Sequence, residues 1–371
     1  MKAPDVIVVG AGIVGCTVAY ELARSGAAVR VVETRTPGQG ATRASAGILA
    51  PHIEGHSSAA LHSLGKRSLD LYDGFMTRLS EDSGRDVLYR RNGTFEIAFS
   101  DADVARLNGL SSALAVEGIE ARWIAPGGFG ALEPLAASTA RGALLIPTHG
   151  FVGVTSLTLA AAAAAEKLGA TFSVATGAIR IFAASDGRVG VQTALTMLEA
   201  DRVVLAAGSW SPAITVDGAD PIPVKPIRGQ LIQLQTEPGS ISRVIWGPDG
   251  YLVPWPDGSV LVGSTVEDVG FDESHTPEAV EHLRAAAVSL VPSLAGAEMT
   301  GVRTGLRPKG PDDVPILGAS AAVPGLIYAT AHYRNGVLLT PLTMQLVRDV
   351  VFDRPADPAL RDLDPARVGK L

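Results

Sequence analysis

Residues 6–15 read VIVVGAGIVG. The opening residues are apolar and β-branched, as in a strand buried on both faces. Gly10, Gly12 and Gly15 then follow in G-x-G-x-x-G spacing, and IVGCTVAYELARSG continues with helical periodicity. Alone, the glycine pattern is weak. Here a strand precedes it, a helix follows it, and a second apolar strand, AAVRVVE, ends at Glu33. That is a βαβ unit with an acid placed to accept from an adenosine ribose. Gly10 permits the tight turn, Gly12 lets backbone approach a pyrophosphate, and Gly15 lets the helix pack on the strand. The pyrophosphate would sit on the helix N-terminus.

The chain has 371 residues, enough for two domains with cores, and 47% hydrophobic against 19% charged residues marks a globular protein. Net charge is −7 with no long basic run, which argues against nucleic acid or an acidic membrane as partner. Cys16 is the one cysteine, so a disulfide within the chain and a cysteine zinc cluster are excluded, and a reducing cytoplasm is the natural setting. DVIVVGAG is too short an apolar run for a secretory signal and ends in glycines. No apolar run reaches the roughly 18 residues of a membrane span. LTLAAAAAAEKLGA comes nearest, and Glu166 and Lys167 break it.

Beyond the first unit, the sequence predicts helices over about 58–83 and 102–117 and a hairpin strand in YRRNGTFEIAFS. VTSLTLAAAAAAEKLGATFSV reads as helix then strand, and GRVGVQTALTMLEADRVVLAAGSWSP as strands ending in a glycine turn. RGQLIQLQT, GYLVPWPDGSVLVGST and GLIYATAH are β-rich, and HTPEAVEHLRAAAVSLVPSL opens with a Thr-Pro-Glu helix entry. Near the C-terminus, AHYRNGVLLTPLTMQLVRDV ends in a helix with Thr340 as N-cap and Pro341 in its first turn. The glycine motif does not distinguish NAD from FAD. The hydroxyls and bare backbone of Thr42, Ser45 and Gly47, and the Ala206-Ala207-Gly208 turn after a strand, supply the further contacts that an extended FAD needs.

These segments together resemble the glycine oxidase/D-amino acid oxidase family of FAD-dependent oxidoreductases, nearest its thiamine-pathway glycine oxidase branch. The resemblance spans nearly the whole chain. It is carried by VIVVGAGIVG, SAGILAP, VVLAAGSW, PVKPIRGQLI, YLVPWPDGSVLVGST, TGLRPKGPDDVPILG and HYRNGVLLTP. It implies an α/β (α+β) fold, with a discontinuous FAD-binding Rossmann-like domain of residues 1–85, 146–220 and 301–371. A β-rich substrate domain would take 86–145 and 221–300.

The resemblance also implies non-covalent FAD. Its contacts would be Gly10, Ala11, Gly12, Ile13, Val14 and Gly15, then Glu33, Thr34 and Arg35. Thr42, Arg43, Ser45, Ala46, Gly47 and Leu49 would follow, with Ala178, Ala207, Gly208 and Trp210. His332, Arg334, Asn335, Gly336, Val337, Leu338 and Arg307 complete the set. Flavin linkage through a cysteine in the C-terminal half, as in sarcosine oxidase relatives, is excluded because no cysteine lies there.

For the substrate, the resemblance assigns Arg307 to clamp a carboxylate, Tyr251 to add a phenolic hydrogen bond, and Arg334 to lie beside pocket and flavin. The planar guanidinium fork suits a carboxylate. The structural alternative makes each arginine a salt bridge to a nearby Asp, such as Asp312 or Asp313. Backbone N–H groups at 335–338 and the helix at Thr340 would face the flavin's pyrimidine edge, where reduction places negative charge. The expected reaction is oxidative deamination of glycine, a small D-amino acid or an N-substituted glycine such as sarcosine. Hydride leaves the substrate Cα, the imino acid hydrolyses, and oxygen is the acceptor. No acid/base pair stands out in the sequence, which agrees with catalysis by orientation. Competing readings are a dehydrogenase with another acceptor, a non-catalytic flavoprotein and an NAD enzyme. Relatives suggest a homo-oligomer. No metal is expected: His52, His56 and His62 lack a ligand spacing and read as polar loop residues, His52 near the substrate mouth. Cys16 is expected to pack on the sheet, and Val266 is either pocket wall or core.

Overall fold

Strand Asp5–Val9 lies inside a six-stranded sheet with both faces covered. Val6 and Val8 pack into a helical layer formed by Ile13–Arg24, Ala59–Ser83, Val154–Lys167 and Thr340–Val351. Ile7 and Val9 belong to the opposite face, shared with a four-stranded sheet through Ile181, Val189 and Val191. An alternating polar strand would leave one of these layers without a floor, which is why the run is apolar throughout. The computed structural model describes residues 5–54 and 58–371.

The sheet order is Ile316–Ala319, Leu326–Thr330, Arg202–Leu205, Asp5–Val9, Ala28–Val32, Thr171–Ser173. All neighbours are parallel except the first pair. The ladder from Val6↔Arg202 to Val9↔Leu205 brings the glycine turn and the Ala206–Gly208 turn out at the same edge. Gly10 has φ +106°, and a Cβ there would lie 2.5 Å from the Ala206 carbonyl oxygen. A Cβ on Gly15 would lie 1.9 Å from the Gly10 carbonyl oxygen. The helix therefore sits on the strand at a distance only glycine permits.

The second layer is an eight-stranded sheet ordered Glu298–Lys309, Lys225–Gln235, Ser259–Gly263, Gly250–Pro254, Val244–Gly247, Thr94–Ala98, Gly142–Ile146, Arg122–Ile124. One face carries helix Pro277–Leu290, whose Leu283, Ala287 and Leu290 pack on Ile232, Leu252 and Val262. Thr276 caps that helix, accepting from the Ala279 amide. The other face, with Leu231, Tyr251, Val253 and Leu261, meets Ala44, Ala46 and Ile48 of the nucleotide half.

Two sequence expectations change. Tyr89–Arg90 and Thr94–Ala98 do not form a hairpin: the first pairs with Gly150–Val152, the second with Gly142–Ile146. Gly93 between them, at φ +88°, turns the chain from one sheet to the other. A boundary at residue 301 would also cut a strand. Glu298–Lys309 pairs along its length with Lys225–Gln235, so hydrogen bonding groups it with the second layer.

Gly15→Ala and Gly109→Ala make a contrasting pair. Gly15 has no room for a methyl, and the obstructing atom is backbone. Gly109, exposed within helix Asp101–Val116, would meet nothing within 4 Å. Chemical denaturation should show Gly15→Ala destabilised by more than about 2 kcal/mol. Gly109→Ala should be stabilised by about 0.5–1 kcal/mol.

Candidate functional site

A cavity of about 630 Å³ is lined from both layers, a size within the usual range of ligand and cofactor sites. Its walls include Gly10, Gly12, Ile13 and Val14 of the first turn, Glu33, Thr34 and Arg35, and Thr42, Ser45, Ala46 and Gly47. Ala178, Ala207, Gly208 and Trp210 also line it, as do Tyr251, Arg307, His332, Arg334, Gly336 and Val337. The remaining sequence candidates do not line it. Ala11, Leu49 and Leu338 are core, and Asn335 is buried. Gly15 is under Gly10, and Arg43 approaches Glu273 at 3.7 Å.

The turn is braced from outside. Glu33 accepts from the Ala11 amide at 2.6 Å and the Arg35 amide at 2.8 Å. A carboxylate has about four acceptor positions, so two amides leave capacity for hydroxyl donors. The Thr42 hydroxyl accepts from the Ile13 amide at 3.0 Å, capping the first helix from another segment. The amides of Gly12, Val14 and Gly15 have no acceptor among the described residues. Arg35 donates from both terminal nitrogens to Glu273, at 3.1 and 2.6 Å, and its guanidinium stacks 4.7 Å from the Trp210 ring centroid.

Gly12 tests whether a dinucleotide fits. Gly10 and Gly15 are glycine because protein atoms fill the Cβ position. A Cβ on Gly12 would meet only the Thr42 hydroxyl, at 3.4 Å. Its bareness therefore serves the cavity and not the fold. Gly208, at φ +53° with nothing within 4 Å of a Cβ, opens the facing wall. Unpaired helix-start amides, a bare glycine and an acid past the second strand are what FAD's pyrophosphate and ribose require.

Arg307 lies opposite Ile227 in the ladder, and its guanidinium passes over Gly229, where a Cβ would be 2.2 Å from a terminal nitrogen. It donates to the Thr265 carbonyl at 2.9 Å and the Ser264 hydroxyl at 2.8 Å. The alternative partners are engaged elsewhere: Asp312 with Arg367, Asp313 with Lys309. Tyr251 lies over Gly263, its register partner, where a Cβ would be 2.4 Å from the phenolic oxygen. Gly305, paired with Gly229, admits Ala44 and Ala41 of the nucleotide half. Sequence reasoning missed Ser264, Gly229 and Gly305, although a lone glycine inside a strand signals close approach.

The 335–340 turn differs from expectation. Thr340 is the first helical residue and not the cap: its hydroxyl donates to the Gly336 carbonyl at 2.7 Å. The Asn335 amide is taken by the His332 carbonyl at 2.9 Å. Tyr72 donates to the Val337 carbonyl at 2.5 Å and Ser68 to the Leu338 carbonyl at 2.7 Å. In a trans peptide the N–H points away from the preceding C=O. Fixing the Gly336 and Val337 carbonyls turns the Val337 and Leu338 amides the other way, and these, with the Gly336 amide, have no acceptor among the described residues, while the Leu339 amide donates to the Asn335 carbonyl at 2.8 Å.

His52 and His62 are not loop residues. His52 is buried on the short helix Pro51–Glu54, with Nδ1 2.8 Å from His62 Nε2 of the long helix, and it does not line the cavity. His56 lies outside the described residues. No group of three or more His, Cys, Asp or Glu is placed to hold a metal ion among the described residues. Among them, too, no helix is long and apolar enough to cross a membrane. Cys16 is buried with its sulfur 3.3 Å from the Ala11 carbonyl, and burial pushes its thiol up. Val266 is 54% exposed and lines no part of the cavity, so neither reading of it holds.

His332 lines the cavity yet is almost fully buried, with Nε2 3.0 Å from the Thr343 hydroxyl. Burial lowers its pKa to about 4. The unfolded chain, near 6.5, binds the proton first, so stability is present above 6.5 and falls as pH drops toward 4. The loss is up to about 3 kcal/mol. Denaturation at pH 7.0 and 5.0 should show a smaller pH difference in His332→Asn than in the parent.

Comparison with known proteins agrees with this geometry. The family model for DAO, FAD dependent oxidoreductase, matches residues 5–350. The glycine oxidase of Pseudomonas aeruginosa is 31% identical over 99% of both chains. The bifunctional protein ThiO/ThiG of Nostoc sp. is 32% identical over 99% of this chain but 55% of its own length, so the chain spans about half of such relatives. The crystal structure of glycine oxidase from Geobacillus kaustophilus superposes with a TM-score of 0.94 at 29% identity, covering 99% of each chain. The chain belongs to the DAO family of FAD-dependent oxidoreductases.

Proposed function

We propose that this protein oxidises glycine or a closely related small amine, binding the substrate by its carboxylate. The observation that carries the reading is continuity. The cavity that begins at the glycine turn and Glu33 also contains Tyr251, Arg307 and Arg334. Bound FAD would supply the oxidising chemistry, as acceptor for a hydride from the substrate Cα, with oxygen in this reading the final acceptor and hydrogen peroxide the product. Arg307 would take the carboxylate in a two-pronged, charge-assisted pair, with the Tyr251 phenol as a further donor. Gly229 leaves room for that guanidinium, and the Ser264 and Thr265 oxygens hold its plane. The clamp fixes the substrate's rotation, which is the larger part of the barrier a positioning site removes. His332 is neutral at pH 7 and directed at Thr343, so it does not serve as a charged partner for the amine. The imino acid released would hydrolyse in water to a 2-oxo acid and ammonia or an amine. FAD is held without a covalent bond in this reading. A reducing, cytoplasmic setting is in keeping with a single, buried cysteine.

The decisive experiment follows the visible spectrum of the purified protein anaerobically while glycine, sarcosine and D-alanine are added in turn, then admits air. Bleaching by one of the three supports the reading and ranks substrates, and rapid recovery in air identifies oxygen as acceptor. A flavin spectrum that none of them bleaches would overturn the substrate class.

Two variants separate the ends of the cavity. Gly12→Ala should fold with near-parental stability but retain much less FAD after gel filtration, because its methyl enters the cavity and not the core. Arg307→Ala should keep FAD and raise the KM for glycine steeply, since removing one partner of a buried charge-assisted pair costs ~2–5 kcal/mol. An Arg307→Ala enzyme with parental KM would remove the clamp from the reading.

A further inference from the structure

Behind Arg307 lies an ionic cluster that the reaction as described does not use. Arg228, 5% exposed at its side chain, donates from Nε and a terminal nitrogen to Glu267 at 3.1 and 2.5 Å. Its other terminal nitrogen pairs with Asp272 and reaches the Ser274 carbonyl at 3.2 Å. Glu267 accepts on its second oxygen from the Thr265 hydroxyl at 2.5 Å and the Gln230 amide at 2.9 Å. The Thr265 hydroxyl in turn accepts from the Gln230 backbone amide at 2.9 Å. Backbone bonds between Arg228 and Glu267, 2.8 and 3.0 Å, complete the link.

This cluster sets the position of residue 265, and the Thr265 carbonyl receives the Arg307 guanidinium. The Arg228 carbonyl lies 3.5 Å from the same Arg307 nitrogen. Burial opposes the charged form of Glu267, but the bonds from Thr265, Arg228 and Gln230 outweigh it and hold the carboxyl below its usual range. Four donors converge on its two oxygens. Only a carboxylate accepts four bonds while presenting no hydrogen of its own.

We propose that the Glu267–Arg228 pair positions Arg307 through Thr265, and so sets the affinity of the site for a carboxylate without touching the substrate. This rests on the reading of Arg307 as carboxylate clamp. Gln at 267 must turn an NH2 either toward Arg228 or toward Thr265 and Gln230, so half of the set is broken whichever way it faces. Asp keeps all the acceptor positions on a shorter stem.

The test uses the FAD-loaded protein and acetate as probe, with dissociation constants from calorimetry per mole of bound flavin. Glu267→Gln should weaken acetate roughly tenfold. Glu267→Asp should lie nearer the parent. The KM for the oxidised amine should rise with the acetate constant, while kcat at saturation stays within about twofold. If the parent does not bind acetate, or Arg307→Ala binds it equally, the carboxylate-site reading itself fails. If binding depends on Arg307 but Glu267→Gln matches the parent, the positioning role alone is overturned. Should Glu267→Gln not fold or not load FAD, Thr265→Val carries the test. It keeps the carbonyl and removes the hydroxyl that ties it to Glu267. A weaker acetate constant then supports the role, and an unchanged one overturns it.

Discussion

The contact between Gly15 and the Gly10 carbonyl governs the rest of the site. It lets the first helix sit directly on the central strand, so the helix start opens at the edge where Leu205 also ends. That position brings the Ile13 amide to the Thr42 hydroxyl, which anchors the segment 41–44. Ala41 and Ala44 of that segment press against Gly305, two residues before Arg307. Two close approaches that need glycine, at Gly15 and Gly305, are thus joined through the Ile13–Thr42 hydrogen bond and run from the nucleotide turn toward the guanidinium. Bulk at either glycine would push the next element away.

Arg307 is held differently. Its acceptors include the Thr265 carbonyl and the Ser264 hydroxyl, which fix the plane of the fork. One step back, Glu267 and Asp272 pair with Arg228 and order the segment 265–274. Glu273 on the same segment pairs with Arg35, whose amide is held by Glu33. The segment therefore ties the substrate layer to the acid at the end of the second nucleotide strand.

Much of this was legible in the sequence because it is written in local patterns. An apolar run buried on both faces, three spaced glycines and an acid past the second strand depend on neighbours within about thirty residues. The same holds for the Thr276 cap. What escaped depends on pairing between distant segments. Nothing near residue 301 shows that its strand joins 225–235, because that ladder closes across more than sixty residues. Gly229 and Gly305 looked like ordinary strand glycines until pairing set them side by side beneath Arg307 and Ala44. Thr340 carries every local mark of a helix cap, yet its hydroxyl bonds backward to Gly336. The competing turn is fixed by Tyr72 and Ser68, more than 260 positions earlier.

That turn also shows how a neutral backbone makes an electropositive wall. Tyr72, Ser68 and Thr340 each donate to a carbonyl of this turn. Amides without an acceptor among the described residues remain on residues that line the cavity: Gly336 and Val337 at this wall, Gly12 and Val14 at the helix start. Two arginines, Arg307 and Arg334, also line the cavity, and Glu33 is its carboxylate, already drawn toward the Ala11 and Arg35 amides. A cavity with donors at separated points and an acid among them selects a ligand with separated anionic groups and a ribose. Backbone donors cannot swing away as a lysine can, so the order of those groups along the cavity is imposed by the fold. The Thr340 hydroxyl, which does not line the cavity, thus holds the Gly336 carbonyl and, across the same trans peptide, sets the direction of the Val337 amide.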